Sequence, residues 1–254
     1  MPKFAANLSF MFTELDFLDR FGAARAAGFD AVEFLFPYAY EAEAIAEQLA
    51  RHALRLVLHN LPPGDWAAGD RGIATDPLRV GQFQDSVGLA LDYATRLGVR
   101  QLHCLAGVNA NGERDTYLDN LRFAASQLAR HGMTLLIEPI NIFDMPGYFL
   151  SGSDQAADII RDAGMDNLRL QFDMYHVQRM EGELAAAITR HLPLIAHMQL
   201  ADVPGRHEPG SGNIDYRSLF ALIDALGYEG WIGCEYHPLH DTLAGLAWRA
   251  ALQA

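Results

Sequence analysis

Four polar side chains close short apolar runs in the second half of this 254-residue chain, and together they have the make-up of a divalent-cation site. Glu138 ends the aliphatic stretch of TLLIEPIN (134–141), and Asp173 follows Phe172 in LRLQFDMYH (168–176). Gln199 holds the corresponding place in AHMQLAD (196–202), and Glu235 in WIGCEY (231–236). Their separations are 35, 26 and 36 residues, each about one strand–helix unit. Carboxylates gathered in a low-dielectric interior repel one another and lose hydration, so such a group is either partly protonated or holds a cation. Three carboxylates and an amide carbonyl form an all-oxygen set that suits Mg²⁺ or Mn²⁺; zinc favours His and Cys. Any one of the acids alone reads as well as a helix cap or an arginine partner. Four on successive strand ends favour the metal.

Glu138 and Glu235 then supply the chemistry. A divalent ion polarises the C=O and neighbouring hydroxyl of an α-hydroxycarbonyl compound and acidifies the C–H between them. One carboxylate takes that proton while a second acid delivers one to the adjacent carbon. The product is an aldose–ketose type isomer, reached through an enediolate.

Such roles require elements that present these side chains at one rim. Eight short apolar runs alternate with longer stretches that are apolar at helical spacing and closed by Gly, as in DFLDRFGAARAAGFD and DYRSLFALIDALGYEG. The runs cover 4–9, 31–36, 55–60 and 100–106, followed by the four above. This alternation predicts an α/β fold, a single (β/α)₈ TIM barrel over residues 1–254, with an open doubly wound sheet as the competitor. In a barrel the four polar residues lie at the C-terminal ends of strands five to eight, the face on which barrel enzymes do chemistry. The longest irregular stretch, 61–77, contains Trp66, and a loop of that length in a compact domain is often functional.

Composition narrows the partners. Half the residues are hydrophobic and a fifth are charged, which excludes disorder and coiled coil. The net charge of −13 opposes nucleic-acid binding. The N-terminal segment lacks a signal-peptide pattern, and no apolar run approaches the roughly 20 residues of a membrane helix. A cytoplasmic protein acting on a small molecule is expected, with homo-oligomerisation open and Cys104 and Cys234 reduced and buried.

At these residues the chain resembles the hydroxypyruvate isomerase family, within the xylose-isomerase-like barrels, which includes the similar 2-oxo-tetronate isomerases. The resemblance runs over essentially the whole chain. It is carried by FAANLSFMF, VEFLFPY, LHNLPPGDWAAGDRGIA, LLIEPIN, FDMPGY, QFDMYHVQRMEGEL, HMQLADVPGRHEPGSGNIDY and GWIGCEYHP. It implies that Glu138, Asp173, Gln199 and Glu235 bind the metal, that Glu138 and Glu235 are the proton-transfer pair, and that His176 and Arg206 hold substrate oxygens. Related ketose 3-epimerases carry His where this chain has Gln199, which supports the isomerase branch and a harder metal. One departure is His237, where this branch usually has Lys.

Arg206 also reads independently as the fork for a substrate carboxylate, because guanidinium matches that geometry in a bidentate way. His59, ending the third strand, is a further substrate-binding candidate. Asp144 reads equally as support for the site or as an Asx turn. The loop PGSGN (209–213) reads as a turn shaping the rim beside Arg206, with Asp215 as a helix N-cap. His103 and His197 read as core or supporting histidines. A ketose 3-epimerase, a repair endonuclease and a noncatalytic sugar-acid binder remain as rivals; the acidic charge weighs against the endonuclease.

Overall fold

Strand and helix alternate along the chain, and the strands close on themselves. The computed structural model describes residues 2–109 and 111–251; residues 1 and 252–254, the ends of the expected 1–254 domain, lie outside the described residues. The strands are β1 (Lys3–Asn7), β2 (Ala31–Glu33), β3 (Arg55–Asn60), β4 (Gln101–His103), β5 (Thr134–Ile137), β6 (Leu168–Asp173), β7 (Ile195–Leu200) and β8 (Trp231–Cys234). The helices are α1 (Arg20–Ala26), α2 (Ala42–Arg51), α3 (Val80–Leu97), α4 (Arg114–Ala129), α5 (Ser153–Ala163), α6 (Met174–Met180), α7 (Leu184–His191), α8 (Tyr216–Ala225) and α9 (Ala247–Ala251). Each strand pairs in parallel with its sequence neighbours and β8 pairs with β1, giving the closed order β1 to β8. Closure decides for the barrel over the open sheet.

Periodicity explains both layers. Helix α3 buries Phe83, Val87, Ala90, Ala94 and Leu97 at helical spacing and ends at Gly98, whose φ of 68° would strain a residue with a β-carbon. Such faces pack on the outward side chains of the strands. Inside the barrel a small cluster of Ala5, Ala31, Val57, Leu58 and Leu136 forms an apolar floor. Side chains alternate faces along a strand, so the inward residues two positions further on form the next layer. There Asn7 follows Ala5, Glu33 follows Ala31, Glu138 follows Leu136, and Gly233 and Glu235 follow Trp231. The register sets Asn7 beside Glu33, Asp173 beside Gln199, and Gln199 beside Gly233. An apolar floor thus carries a polar layer near the C-terminal strand ends.

Several strands stop short of their apolar runs. The run 168–176 is strand only to Asp173, whose side chain accepts the Tyr175 N–H at 2.8 Å and starts α6 as its N-cap. His176 therefore stands in the first turn of a helix and not at a strand end. β5 ends at Ile137, two residues before Pro139, which has no N–H to continue a ladder. Glu138 and Glu235 each lie one residue past their strands. Among the described residues no helix is long and apolar enough to cross a membrane.

Candidate active site

Buried amides hold the two glutamates from below. Gln171 Nε2 donates to Glu138 Oε2 at 3.0 Å and to Gln199 Oε1 at 2.7 Å. Gln199 Nε2 donates in turn to Glu235 Oε2 at 2.5 Å and Glu33 Oε1 at 2.8 Å. Asn7 Nδ2 bridges the same two carboxylates at 3.0 Å each. Glu33 is fully buried and also meets His197 Nε2 at 2.6 Å. A β-carbon at Gly233 would overlap the Glu33 carboxylate, so glycine is what lets that acid lie across the barrel. With each Oε2 held in this way by amides, the two Oε1 atoms are differently placed. Glu138 Oε1 has no hydrogen-bond partner, and Glu235 Oε1 accepts from Arg206 Nη2 at 2.6 Å. Asp173 divides similarly: Oδ1 caps α6, while Oδ2 has no hydrogen-bond partner and lies 3.6 Å from both Arg206 Nη2 and His176 Nε2.

Arg206 reaches this cluster from the loop after β7. Asp202 organises that loop, accepting N–H groups of Gly210 at 2.9 Å, Gly212 at 3.0 Å and Ile214 at 3.0 Å. The PGSGN segment thus turns back onto Asp202 beside Arg206, and Asp215 caps α8 through the Ser218 N–H at 3.1 Å. Arg206 adopts a φ of 57°, a left-handed conformation uncommon for a residue with a side chain and typical of functional sites. Its guanidinium lies 5.0 Å from the Phe10 ring and 5.1 Å from that of Tyr175, where aromatic faces favour a cation.

The electrostatics follow from burial. Desolvation, reinforced by Glu235 and Asp173, raises Glu138 well above the usual carboxylate range against the pull of Arg206. Burial likewise pushes Glu235 up to about 8 and Asp173 to about 6, with Arg206 opposing both. One guanidinium does not compensate three buried carboxyl groups. Two of their oxygens, Glu138 Oε1 and Asp173 Oδ2, have no hydrogen-bond partner. This donor set fits a hard divalent cation, whose charge would offset the desolvation of the acids. Glu138, Asp173 and His176 each place a potential ligand atom within 4.8 Å of the others.

Of these, Glu138 and His176 line a cavity of about 150 Å³ whose polar side also carries Gln171, Arg206 and Glu235, while Asp173 lies behind it. Leu35, Trp66, Leu105, Ile140 and Met145 form apolar walls. A larger hollow of about 560 Å³ beside Trp248 contains none of the clustered acids. Trp66 borders the cavity at 40% exposure, with the Arg71 guanidinium 3.9 Å above its ring. Asp144 accepts the Tyr175 hydroxyl at 2.8 Å and also lines the cavity, as the first of its two readings has it; an Asx turn here is made by Asn141. His103 reaches the wall too, 3.6 Å from Glu138. The His237 ring lies tilted against that of Phe10, with centroids 4.7 Å apart.

His59 is placed differently from the expectation. Its neighbour Asn60 is the cavity-lining residue, while His59 lies between the Phe34 and Tyr38 rings, with Nδ1 3.1 Å from the Asn60 carbonyl oxygen. Adjacent strand residues face opposite ways. Burial lowers His59 from 6.5 to about 4, partly offset by that carbonyl. The unfolded chain then binds more protons than the native one between those values, so stability falls as pH drops from 6.5 to 4. The contribution is roughly 3 kcal/mol. The unfolding free energies of wild type and His59→Gln, from urea titrations, should differ by about that much less at pH 4 than at pH 7; parallel pH profiles would remove His59 as the cause.

Asn7, Glu33, Gln171 and Asn141 were not identifiable as site residues from motifs. Their only signal is the inward alternation that puts Asn7 and Glu33 two residues beyond small floor alanines.

A family model described as xylose isomerase-like TIM barrel matches residues 21–252. The 2-oxo-tetronate isomerase of Cupriavidus necator is 50% identical over 98% of this chain and 97% of its own. The hydroxypyruvate isomerase of Escherichia coli is 49% identical over 98% of both chains. A Brucella melitensis crystal structure described as AP endonuclease, family 2, superposes with a TM-score of 0.97 at 46% identity, covering 99% of each chain.

Proposed function

Because the chain belongs to the hydroxypyruvate isomerase and 2-oxo-tetronate isomerase family of xylose isomerase-like TIM barrels, we propose that it isomerises a small hydroxy-oxo acid with a divalent metal. The reaction is hydroxypyruvate to tartronate semialdehyde, or 2-oxo-tetronate to 3-oxo-tetronate. The observation that carries this reading is the pair of buried glutamates, each held at Oε2 by amides, beside an arginine that enters the same small cavity.

Arg206 receives the substrate carboxylate on its fork, and in doing so relinquishes Glu235 Oε1. The carboxyl groups of Glu138 and Glu235 then serve the two carbons. One takes the proton from the hydroxyl-bearing carbon; the other gives a proton to the former carbonyl carbon, while the hydroxyl proton passes to the new hydroxyl oxygen. Composition is unchanged, as an isomerisation requires. His176 donates toward a substrate oxygen. Glu138, Asp173, Gln199 and Glu235 would hold Mg²⁺ or Mn²⁺, which would supply positive charge to the substrate oxygens. Apolar walls and the Trp66 loop limit water at the reacting carbons. A net charge of −13 and a cavity of about 150 Å³ favour a small acid over a DNA strand, whatever the name of the Brucella protein.

The test is isomerisation by metal-stripped and metal-restored protein, with hydroxypyruvate, 2-oxo-tetronate and a ketohexose assayed in parallel. Chelation should abolish turnover of the acids, and Mg²⁺ or Mn²⁺ should restore it; the ratio of kcat/KM values then names the substrate. Conversion of the ketohexose alone would move the protein to the epimerases. Binding of an acid without solvent exchange of its carbon-bound hydrogen would make it a binder and not an enzyme.

A further inference from the structure

His176 stands with Nε2 3.6 Å from Asp173 Oδ2 and 3.8 Å from Glu138 Oε1, close enough to those acids to be taken for a metal ligand. Its other ring nitrogen decides otherwise. Asn141 Nδ2 lies 2.7 Å from His176 Nδ1, and the backbone N–H of Asn141 donates to the same nitrogen at 3.4 Å. A backbone N–H only donates, so Nδ1 is an acceptor and carries no proton; the side-chain amide at 2.7 Å is much the closer of the two donors and is what holds it so. The orientation of the Asn141 amide is assigned by the same network. Its Oδ1 accepts the backbone N–H groups of Phe143 at 3.1 Å and Asp144 at 2.9 Å, which leaves Nδ2 facing both His176 and Asp144 Oδ2 at 3.1 Å. Asn141 is buried, and its turn, Asn141 to Asp144, lies on the cavity wall. A neutral imidazole that accepts at Nδ1 bears its proton on Nε2, the nitrogen that faces the clustered acids.

We propose that Asn141 is a positioning residue that fixes His176 in the Nε2–H tautomer, barring it from the metal and making it a hydrogen-bond donor to the substrate oxygen. The inference rests on the isomerase reading for the donor's target, but the tautomer belongs to the protein alone. A metal-ligating histidine presents a lone pair to the ion and gives its other N–H to a carbonyl or carboxylate. Here the supporting residue is a donor, the reverse arrangement. Asn141 therefore separates an all-oxygen ligand set from a mixed oxygen–nitrogen one, and with it the hard from the softer divalent metals.

The experiment uses protein labelled with ¹⁵N at histidine, the His176 resonances being assigned by their loss in His176→Gln. In metal-free wild type the pyridine-like nitrogen should be Nδ1 and the pyrrole-like one Nε2. Asn141→Asp presents an acceptor where the amide was and should exchange the two. Its Zn²⁺ affinity, measured by competition with a chelator, should rise relative to Mg²⁺, and its kcat/KM should fall about 10- to 100-fold through loss of one buried donor. Because a carboxylate at 141 faces Asp144, Asn141→Ala is the second variant; it should leave the two tautomers mixed, with a smaller fall in kcat/KM and KM less affected than kcat. Wild type with a pyridine-like Nε2, or both variants retaining the wild-type tautomer, would overturn the proposal. A wild-type protein with the expected tautomer but no isomerase activity would instead overturn the functional reading.

Discussion

Glu138→Gln and Glu235→Gln should each lower turnover of the hydroxy-oxo acid about a thousandfold or more, because each removes a carboxyl group proposed to carry a proton in the cavity. Glutamine keeps the size of the side chain and an oxygen that can accept from the amide beneath it, Gln171 in one case and Gln199 in the other. The packing therefore survives and the melting temperature should hardly fall, while the carboxyl proton site disappears. The two variants should differ in a way that assigns their roles. When the reaction is run in D₂O, the enzyme that retains the base still exchanges the substrate's carbon-bound hydrogen without completing isomerisation; the one lacking it shows neither exchange nor product. Rates within tenfold of wild type in either variant would mean that a water or another acid carries the proton. Glu33 would then be the first acid to examine, since it shares Gln199 and Asn7 with Glu235.

Much of this site was legible because polar residues interrupting aliphatic runs are conspicuous. Glu138, Asp173, Gln199 and Glu235 each break a run that would otherwise continue a buried strand, and the spacing of one strand–helix unit makes them converge once the sheet closes. The barrel itself followed from eight such runs. What was hidden depends on contacts across the barrel. Glu33 ends a strand of only three residues, and its importance lies in partners 26, 164 and 166 positions away. His59 and Asn60 are adjacent polar residues ending β3, and a shift of one position on a strand separates the cavity face from the packing face. Asp202 looks like an ordinary loop acid, yet three N–H groups up to twelve residues further on fold the loop around it and so place Arg206. His176 was recognisable as a site residue, but its tautomer is set by an asparagine 35 positions earlier.

Arg206→Lys should reduce kcat/KM for the acid substrates about 100-fold, and Arg206→Ala up to about 1000-fold, with the loss falling chiefly on KM. The guanidinium is largely buried, 18% exposed, between the rings of Phe10 and Tyr175, and it is aimed at Glu235. Lysine would restore a charge but not the planar fork that grips a carboxylate at two oxygens or lies flat on a ring. A second consequence distinguishes substrate recognition from mere charge balance. If Arg206 serves the substrate carboxylate, inhibition by glycolate should weaken in both variants while that by the neutral dihydroxyacetone is little changed. If it only compensates Glu235 and Asp173, both inhibitors should weaken alike. In the alanine variant the three acids also lose the cation that holds their pKa values down. Binding of Mg²⁺ or Mn²⁺ should then release more protons than in wild type at neutral pH, because more of the acids are protonated beforehand. Calorimetry in buffers of different ionisation enthalpy measures that release, and an unchanged proton count would show that Arg206 and the metal act on separate groups.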